Sequence, residues 1–261
     1  MASPHAISLQ YRSSCRLCRR DLAPGATAWW DPASRHTTCL QCDMESPSDP
    51  FDPVDGDLRG TAGGSAASEY ERRRGKFRHP PRSAEAWRIG AEGERAVSEA
   101  LHREAGRGRV EVLDDRRMRN TLANIDHLVI APSGIYVIDT KNYAGRVKRR
   151  VEGVWRWRTE HLVVNGRDRT DLANSMTTQV DAVRDALSTV GGLPEARIVP
   201  VLCFVGRTNW RLLDAPFAVN GVKVTWTRAL TKLVCRDGPL DGQGRSTLTR
   251  LLATQLTPAP R

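Results

Sequence analysis

The segment Ile125-Asp-His-Leu-Val-Ile-Ala-Pro-Ser-Gly-Ile-Tyr-Val-Ile-Asp-Thr-Lys141 narrows the choice of fold more than any other in the chain. Two apolar runs, Leu128–Ala131 and Ile135–Ile138, flank Pro132-Ser133-Gly134, which predicts two adjacent strands joined by a tight turn. Pairing as a hairpin sets the start of the first strand beside the end of the second, so Asp126 and Asp139 become neighbours. Side chains along a strand alternate between faces, so Asp139 and Lys141 project from the same one. The expected product is two carboxylates and an ammonium gathered at the end of a buried hairpin. Like charges held that close repel unless a cation lies between them, and Mg2+ favours carboxylate oxygens. The bland alternative is an edge hairpin whose last charges are simply solvated.

Around this core, Gly90-Ala91-Glu92-Gly93-Glu94 opens a helical pattern upstream, and Gly145 follows shortly after Asp139-Thr140-Lys141-Asn142. Together these features resemble the PD-(D/E)xK nuclease signature and, more narrowly, the nuclease-related domain family, NERD, within the restriction-endonuclease-like fold. The resemblance covers roughly Trp87 to Arg236. It implies an α/β fold with a mixed sheet flanked by helices, and Mg2+- (or Mn2+-) dependent cleavage of nucleic-acid phosphodiesters. Carried over, it makes Asp126 and Asp139 metal ligands, joined by the carbonyl of Thr140, and has Lys141 orient or activate the attacking water. Glu94 matches the family's helix-borne glutamate, placed to assist a second ion or fix a metal-bound water. Gln179 is a candidate assisting residue. Two departures stand out: Asp139 occupies a position where many members carry Glu, and Asn174-Ser175 stands where an Asn-Pro step would precede the glutamine.

A formal net charge of +10 over 261 residues favours a polyanionic partner. Nucleic acid, DNA ahead of RNA, is the expected one. Acidic lipid competes, but no basic amphipathic helix with a broad apolar face is evident. No apolar run approaches the roughly eighteen residues of a spanning helix. The N-terminus lacks a basic n-region and a long apolar stretch, so no secretory signal is expected and a cytoplasmic location is the default.

Six cysteines divide unequally. Cys15-Arg-Leu-Cys18 and Cys39-Leu-Gln-Cys42 have the spacing of a four-thiolate Zn2+ site, since each knuckle can turn two sulfurs onto one ion. Cys203 and Cys235 sit in apolar contexts, and Cys203 reads as core. Residues 1–45 are therefore expected to form a small zinc-binding module with a strand near Ala26–Trp30, stabilised mainly by its metal. Trp29, Trp30, Arg16, Arg19 and Arg20 either contact bases and phosphates or form the mini-core and its solvated rim. His36 reads as a surface residue.

Residues 46–85 read as a flexible linker: an Asp/Pro-rich stretch, then the Gly/Ala/Ser-rich Thr61–Ser68, then a basic run through Arg72, Arg73, Arg74, Lys76, Arg78 and Arg82. Residues 86–261 are assigned to the nuclease-like domain. A helix is expected from Ser83, with Ile89, Val97, Ala100 and Leu101 on one face. Gly90 and Gly93 inside it cost about 1 kcal/mol each relative to Ala, which close packing on the sheet would explain. Val110–Leu113 reads as a strand and Asp114–Asn120 as a charged loop. The alternating Val154-Trp-Arg-Trp-Arg158 reads as a strand with Trp155 and Trp157 inward. A helix from Thr170 or Asp171 to about Thr189, a central strand over Arg197–Val205, a strand at Val222–Trp226, and helices at Arg228–Cys235 and Ser246–Leu256 complete the pattern.

The function expected from sequence is a Mg2+-dependent nuclease acting on DNA, with the zinc module binding substrate or a protein partner. The rivals are a non-catalytic nucleic-acid-binding protein and an adaptor working through the zinc module.

Overall fold

The computed structural model describes residues 5–15, 20–31, 36–40, 59–74, 82–119, 121, 123–154, 157–206 and 215–259. Short strands open the chain: β1 (His5–Ser8), β2 (Ser13–Ser14), β3 (Asp21–Leu22), β4 (Thr27–Asp31) and β5 (His36–Cys39). They pair as a three-stranded sheet in the order β1-β4-β5 and a small β2-β3 hairpin. Two helices follow, α1 (Gly64–Arg74) and α2 (Arg82–Ala105). Then come β6 (Glu111–Arg117), β7 (Asn124–Ala131), β8 (Gly134–Asn142), β9 (Val147–Glu152), β10 (Thr159–Val164) and β11 (Arg167–Asp168). The rest comprises α3 (Thr170–Ser188), β12 (Ile198–Val205), β13 (Phe217–Val219), β14 (Val222–Trp226), α4 (Thr227–Val234) and α5 (Gly242–Gln255).

The expected mixed α/β architecture is present. A six-stranded sheet runs β13-β14-β12-β8-β7-β6, with β12 parallel to β8 and β14 and the other pairs antiparallel. Strand alternation divides its side chains between two helical layers. Tyr136, Ile138, Val201, Cys203 and Val205 pack with Val97 and Leu101 of α2 and Leu230 and Val234 of α4. Ile135, Val137, Leu202 and Phe204 pack with Met176 and Val183 of α3 and Leu248 and Leu252 of α5. Burial on both faces is why β7, β8 and β12 read as near-continuous apolar runs. The Cys203 thiol, buried among them, is pushed up to about 12 by loss of solvent. A second sheet, β11-β10-β9, packs Val147, Leu162 and Val164 against the α3 side. No helix among the described residues is long and apolar enough to cross a membrane.

Gly93 and Gly90 turn out to differ. A Cβ on Gly93 would lie 2.8 Å from Val205 Cγ2 and 3.0 Å from Asn142 Cβ, whereas one on Gly90 would meet nothing within 4 Å. Asn142 Nδ2 also donates to the carbonyl of Ile89 at 2.8 Å, fastening α2 to the end of β8. Gly93→Ala is therefore expected to destabilise the protein by about 1–2 kcal/mol, overpacking outweighing the gain in helix propensity. Gly90→Ala should instead stabilise it by up to about 1 kcal/mol. Urea unfolding of the two variants beside the parent checks both signs.

Three sequence expectations are corrected. The stretch around Thr61–Ser68 contains the start of α1 rather than a flexible tether. Its small residues serve close approach: Ala62 and Ala66 are buried, and Gly63 (φ +66°) lies against the backbone of Ala91. Asp115 fastens the helix start, accepting from Ser65 N at 2.7 Å and Ser65 Oγ at 2.9 Å. Of the basic run, Arg72 pairs with Glu69 on α1, while Lys76 and Arg78 lie outside the described residues.

The supposed charged loop after Leu113 is the second half of β6, and it buries Asp114, Asp115 and Arg116. Those charges are satisfied internally. Arg116 donates to the carbonyls of Leu256 (2.6 Å) and Ala253 (2.8 Å) at the end of α5, and burial brings its pKa down to about 10.

Val154, Trp157 and Arg158 lie between β9 and β10 and belong to neither strand, and Trp157 is 81 % exposed. Gly153 (φ +82°) makes the turn, since a Cβ there would stand 2.1 Å from the Trp157 carbonyl oxygen. Trp155 lies outside the described residues.

Candidate active site

The β7–β8 hairpin pairs Ala131 with Gly134 and His127 with Ile138, so its two-residue turn is Pro132-Ser133. One step beyond the last pair, Asp126 comes level with Asp139. The Asp126 carboxylate accepts the backbone N–H of Thr140 at 2.7 Å, tying the start of one strand to the end of the other. Lys141 Nζ donates to Asp139 Oδ1 at 2.8 Å, the same-face relation that strand alternation requires. On the far side of β8, the parallel strand β12 sets Leu202 beside Asp139 and Phe204 beside Lys141. Asp139 is thus only 5 % exposed.

Glu94 enters from α2, one residue past the close approach at Gly93. Burial raises its carboxyl to about 7; His127 and the N–H of Gly63 oppose the rise, and the charges of Asp115 and Asp139 add to it. Burial also drives Asp126 well above the usual carboxylate range. Asp139 and Glu94 reinforce that shift, against Lys141 and the Thr140 N–H. Burial alone would lower the Lys141 ammonium, but Asp139 and Asp126 outweigh it and its pKa ends above the ordinary lysine value. Lys141 is therefore a held cation and not a free base. Glu94 and Asp126 border a cavity of about 400 Å3, walled also by Asn124, Arg117, Trp87 and Glu69 of α1.

These groups supply hard oxygen donors suited to a divalent ion. Among the described residues, however, no three His, Cys, Asp or Glu side chains are grouped closely enough to hold a metal unaided. A Mg2+ ion needs only one or two carboxylates, its remaining positions going to water and substrate phosphate.

Other candidate residues fall elsewhere. Gln179 lies on α3 with its amide oxygen buried and unpartnered among the described residues. Asn174 accepts from Asn220 Nδ2 at 3.3 Å, in the β13–β14 turn. In the N-terminal unit Cys15 and Cys39 are both buried, and the Cys39 N–H donates to Cys15 Sγ at 3.2 Å. Cys18 and Cys42 lie outside the described residues. Trp29 is buried, as a mini-core residue would be, and His36 is exposed.

Sequence reasoning missed a buried network behind the site. Asp114 Oδ1 lies 2.6 Å from His127 Nδ1, and Oδ2 lies 2.7 Å from His102 Nε2 and accepts from Ser98 Oγ at 2.9 Å. Burial would raise the Asp114 carboxyl, but hydrogen bonds from His102 and His127 more than offset it and hold it far below the usual range. His127 is fully buried, and its Nε2 has no partner among the described residues. The available signal was a histidine inside an apolar strand; its carboxylate partner was hidden in a segment read as loop.

An acid pair and a lysine thus stand at the end of a central hairpin, in a mixed α/β sheet between helical layers. Residues 89–205, from the middle of α2 to the end of β12, match the family profile of the nuclease-related domain, NERD, and this part of the chain is such a domain. Comparison with curated proteins and with solved structures returned no match.

Proposed function

We propose that the protein is a Mg2+-dependent nuclease that hydrolyses phosphodiester bonds of DNA. The observation that carries this reading is the meeting of Asp126, Asp139 and Lys141 at one end of the β7–β8 hairpin. Burial and mutual repulsion hold Asp126 and Glu94 towards their neutral forms, a penalty that a divalent cation relieves. Asp126 and Asp139, with the Thr140 carbonyl, are the residues to hold Mg2+ (or Mn2+), and Glu94 is placed to fix a water beside it. Bound there, the ion supplies Lewis-acid activation of water and neutralises charge building on the phosphate.

The remaining work belongs to the chain. The Thr140 N–H fixes the orientation of the Asp126 carboxylate, and Asp139 holds the Lys141 ammonium at the hairpin end. Because Lys141 stays protonated, it donates to a phosphate oxygen and to the attacking water, orienting both and stabilising developing negative charge.

Incubation with supercoiled plasmid, single-stranded DNA and RNA, each with Mg2+ or Mn2+, tests the reading. Metal-dependent DNA cleavage that EDTA abolishes is expected. Failure of the folded protein to cut any of these would leave a non-catalytic nucleic-acid-binding protein in its place.

The juxtaposition of Cys15 and Cys39 supports a four-cysteine zinc site completed by Cys18 and Cys42, serving substrate or partner binding. Purified protein is expected to carry zinc, and Cys15→Ser to lose it; elemental analysis of both checks this.

A further inference from the structure

Immediately beyond Lys141 the chain builds another pocket, with an apolar floor at Ala144 and Val164 and two arginines among its walls. It has a volume of about 280 Å3, and its lining includes Tyr143, Asn165, Arg167 and Arg169. Tyr143 is only two residues from Lys141, so the pocket adjoins the hairpin end directly. The Arg169 guanidinium lies over the Tyr143 ring, 5.2 Å from its centroid, and Nη2 donates to the Tyr143 hydroxyl at 2.7 Å. Tyr143 also packs against Phe204, their tilted rings 6.3 Å apart at the centroids. Asn165 is pressed against Gly145 (φ +102°), where a Cβ would stand 2.7 Å from its side chain. The walls are therefore held in place before any ligand arrives.

Arg169 is engaged by Tyr143, but the charge of Arg167 is not spent on the protein. Arg167 is exposed and forms no ion pair among the described residues. Asp168, the acid between Arg167 and Arg169 in the chain, is engaged elsewhere: it pairs with His161 at 2.7 Å and Arg150 at 3.7 Å and accepts from Thr170 N (2.9 Å) and Oγ1 (2.6 Å). An anion is thus favoured beside a planar guanidinium stacked on an aromatic ring. Guanidinium planes and aromatic rings are the surfaces on which unpaired bases stack, with arginine reaching the adjoining phosphate. A base held in a duplex cannot enter so small a recess unless it leaves its stack.

We propose that this pocket is a nucleotide subsite that takes an unpaired base and its phosphate next to the bond to be cut, giving the protein a preference for single-stranded nucleic acid. The assignment rests on the nuclease reading for its position in the reaction, but binding alone can test it. The measurement is fluorescence anisotropy of the full chain with a labelled oligothymidylate and a duplex of equal length, in EDTA over a range of salt. Single-strand binding at least about tenfold tighter than duplex binding is expected. Arg167→Ala, at an exposed side chain, should weaken single-strand binding about fivefold and reduce the salt slope by about 0.7, the loss of one phosphate contact. Tyr143→Leu should weaken it at least about fivefold while Tyr143→Phe keeps most of it, stacking needing the ring and not the hydroxyl. Duplex binding should move little in any variant. Equal affinity for the two substrates, or equal losses on both, overturns the subsite. A protein that shows the strand preference but never cuts would refute the nuclease reading and leave the subsite standing; a cutter blind to these substitutions would do the reverse.

Discussion

Asp139→Asn and Lys141→Met should each lower Mg2+-dependent DNA cleavage by about 10^3-fold while leaving DNA binding within a few-fold of the parent. The size follows from what each group does. Removal of one well-aimed charge or donor at a reacting centre costs about 10^2–10^3 in rate, and Asp139 is proposed to serve twice, towards the ion and towards Lys141. Binding is expected to survive because affinity for nucleic acid comes mainly from phosphate contacts to cations spread over the surface. The two residues are bonded to one another, so their losses should not add: the double variant should be little slower than the worse single one. Initial rates on plasmid, with anisotropy in EDTA alongside, provide the comparison. If both single variants cut within about tenfold of the parent, the chemistry does not occur at the hairpin end.

What the sequence made legible here was set by how strongly each segment's pattern depends on burial. β7, β8 and β12 are covered on both faces, so their apolar runs and the Pro132-Ser133-Gly134 turn were unambiguous, and register then brought Asp126 and Asp139 level without further information. Gly93 was readable as a close contact because a glycine within a helix needs a reason. Gly90, with identical local signs, has open space around it, which only the tertiary packing reveals. The buried half of β6 was unreadable for the opposite reason. Asp114-Asp115-Arg116 has the composition of a loop, and it becomes strand only because His102, His127, Ser65 and the carbonyls ending α5 satisfy each charge. Those partners are scattered from residue 65 to residue 256, and no local window contains them. Trp157 failed similarly: alternation implied an inward face, but the turn at Gly153 leaves its side chain exposed.

Metal-free protein should lose stability as pH rises from about 4.5 to about 7, and Mg2+ should restore it. The sign follows from Glu94, whose carboxyl titrates near its ordinary value when unfolded and at about 7 when folded. Between those values the folded state binds the extra proton, so the contribution is complete below the unfolded pKa and is lost as pH passes through the folded one. For Glu94 alone the full change is about 3 kcal/mol, on the order of 10 °C in Tm for a chain of this size. Asp126, also raised, pushes in the same direction. Asp114 has the opposite displacement, and its contribution is lost only in acid, so it adds little to the difference between pH 5 and pH 8. A cation binding the ionised carboxylates reverses the slope, so the Tm gain from Mg2+ should be small at pH 5 and largest at pH 8. Glu94→Gln keeps the shape without the charge and should flatten much of the metal-free decline. Thermal unfolding of both proteins at the two pH values, in EDTA and in Mg2+, decides it. A metal-free protein equally stable at pH 5 and pH 8 would mean that Glu94 and Asp126 are not buried among like charges, and the proposed ion pocket would lose its physical basis.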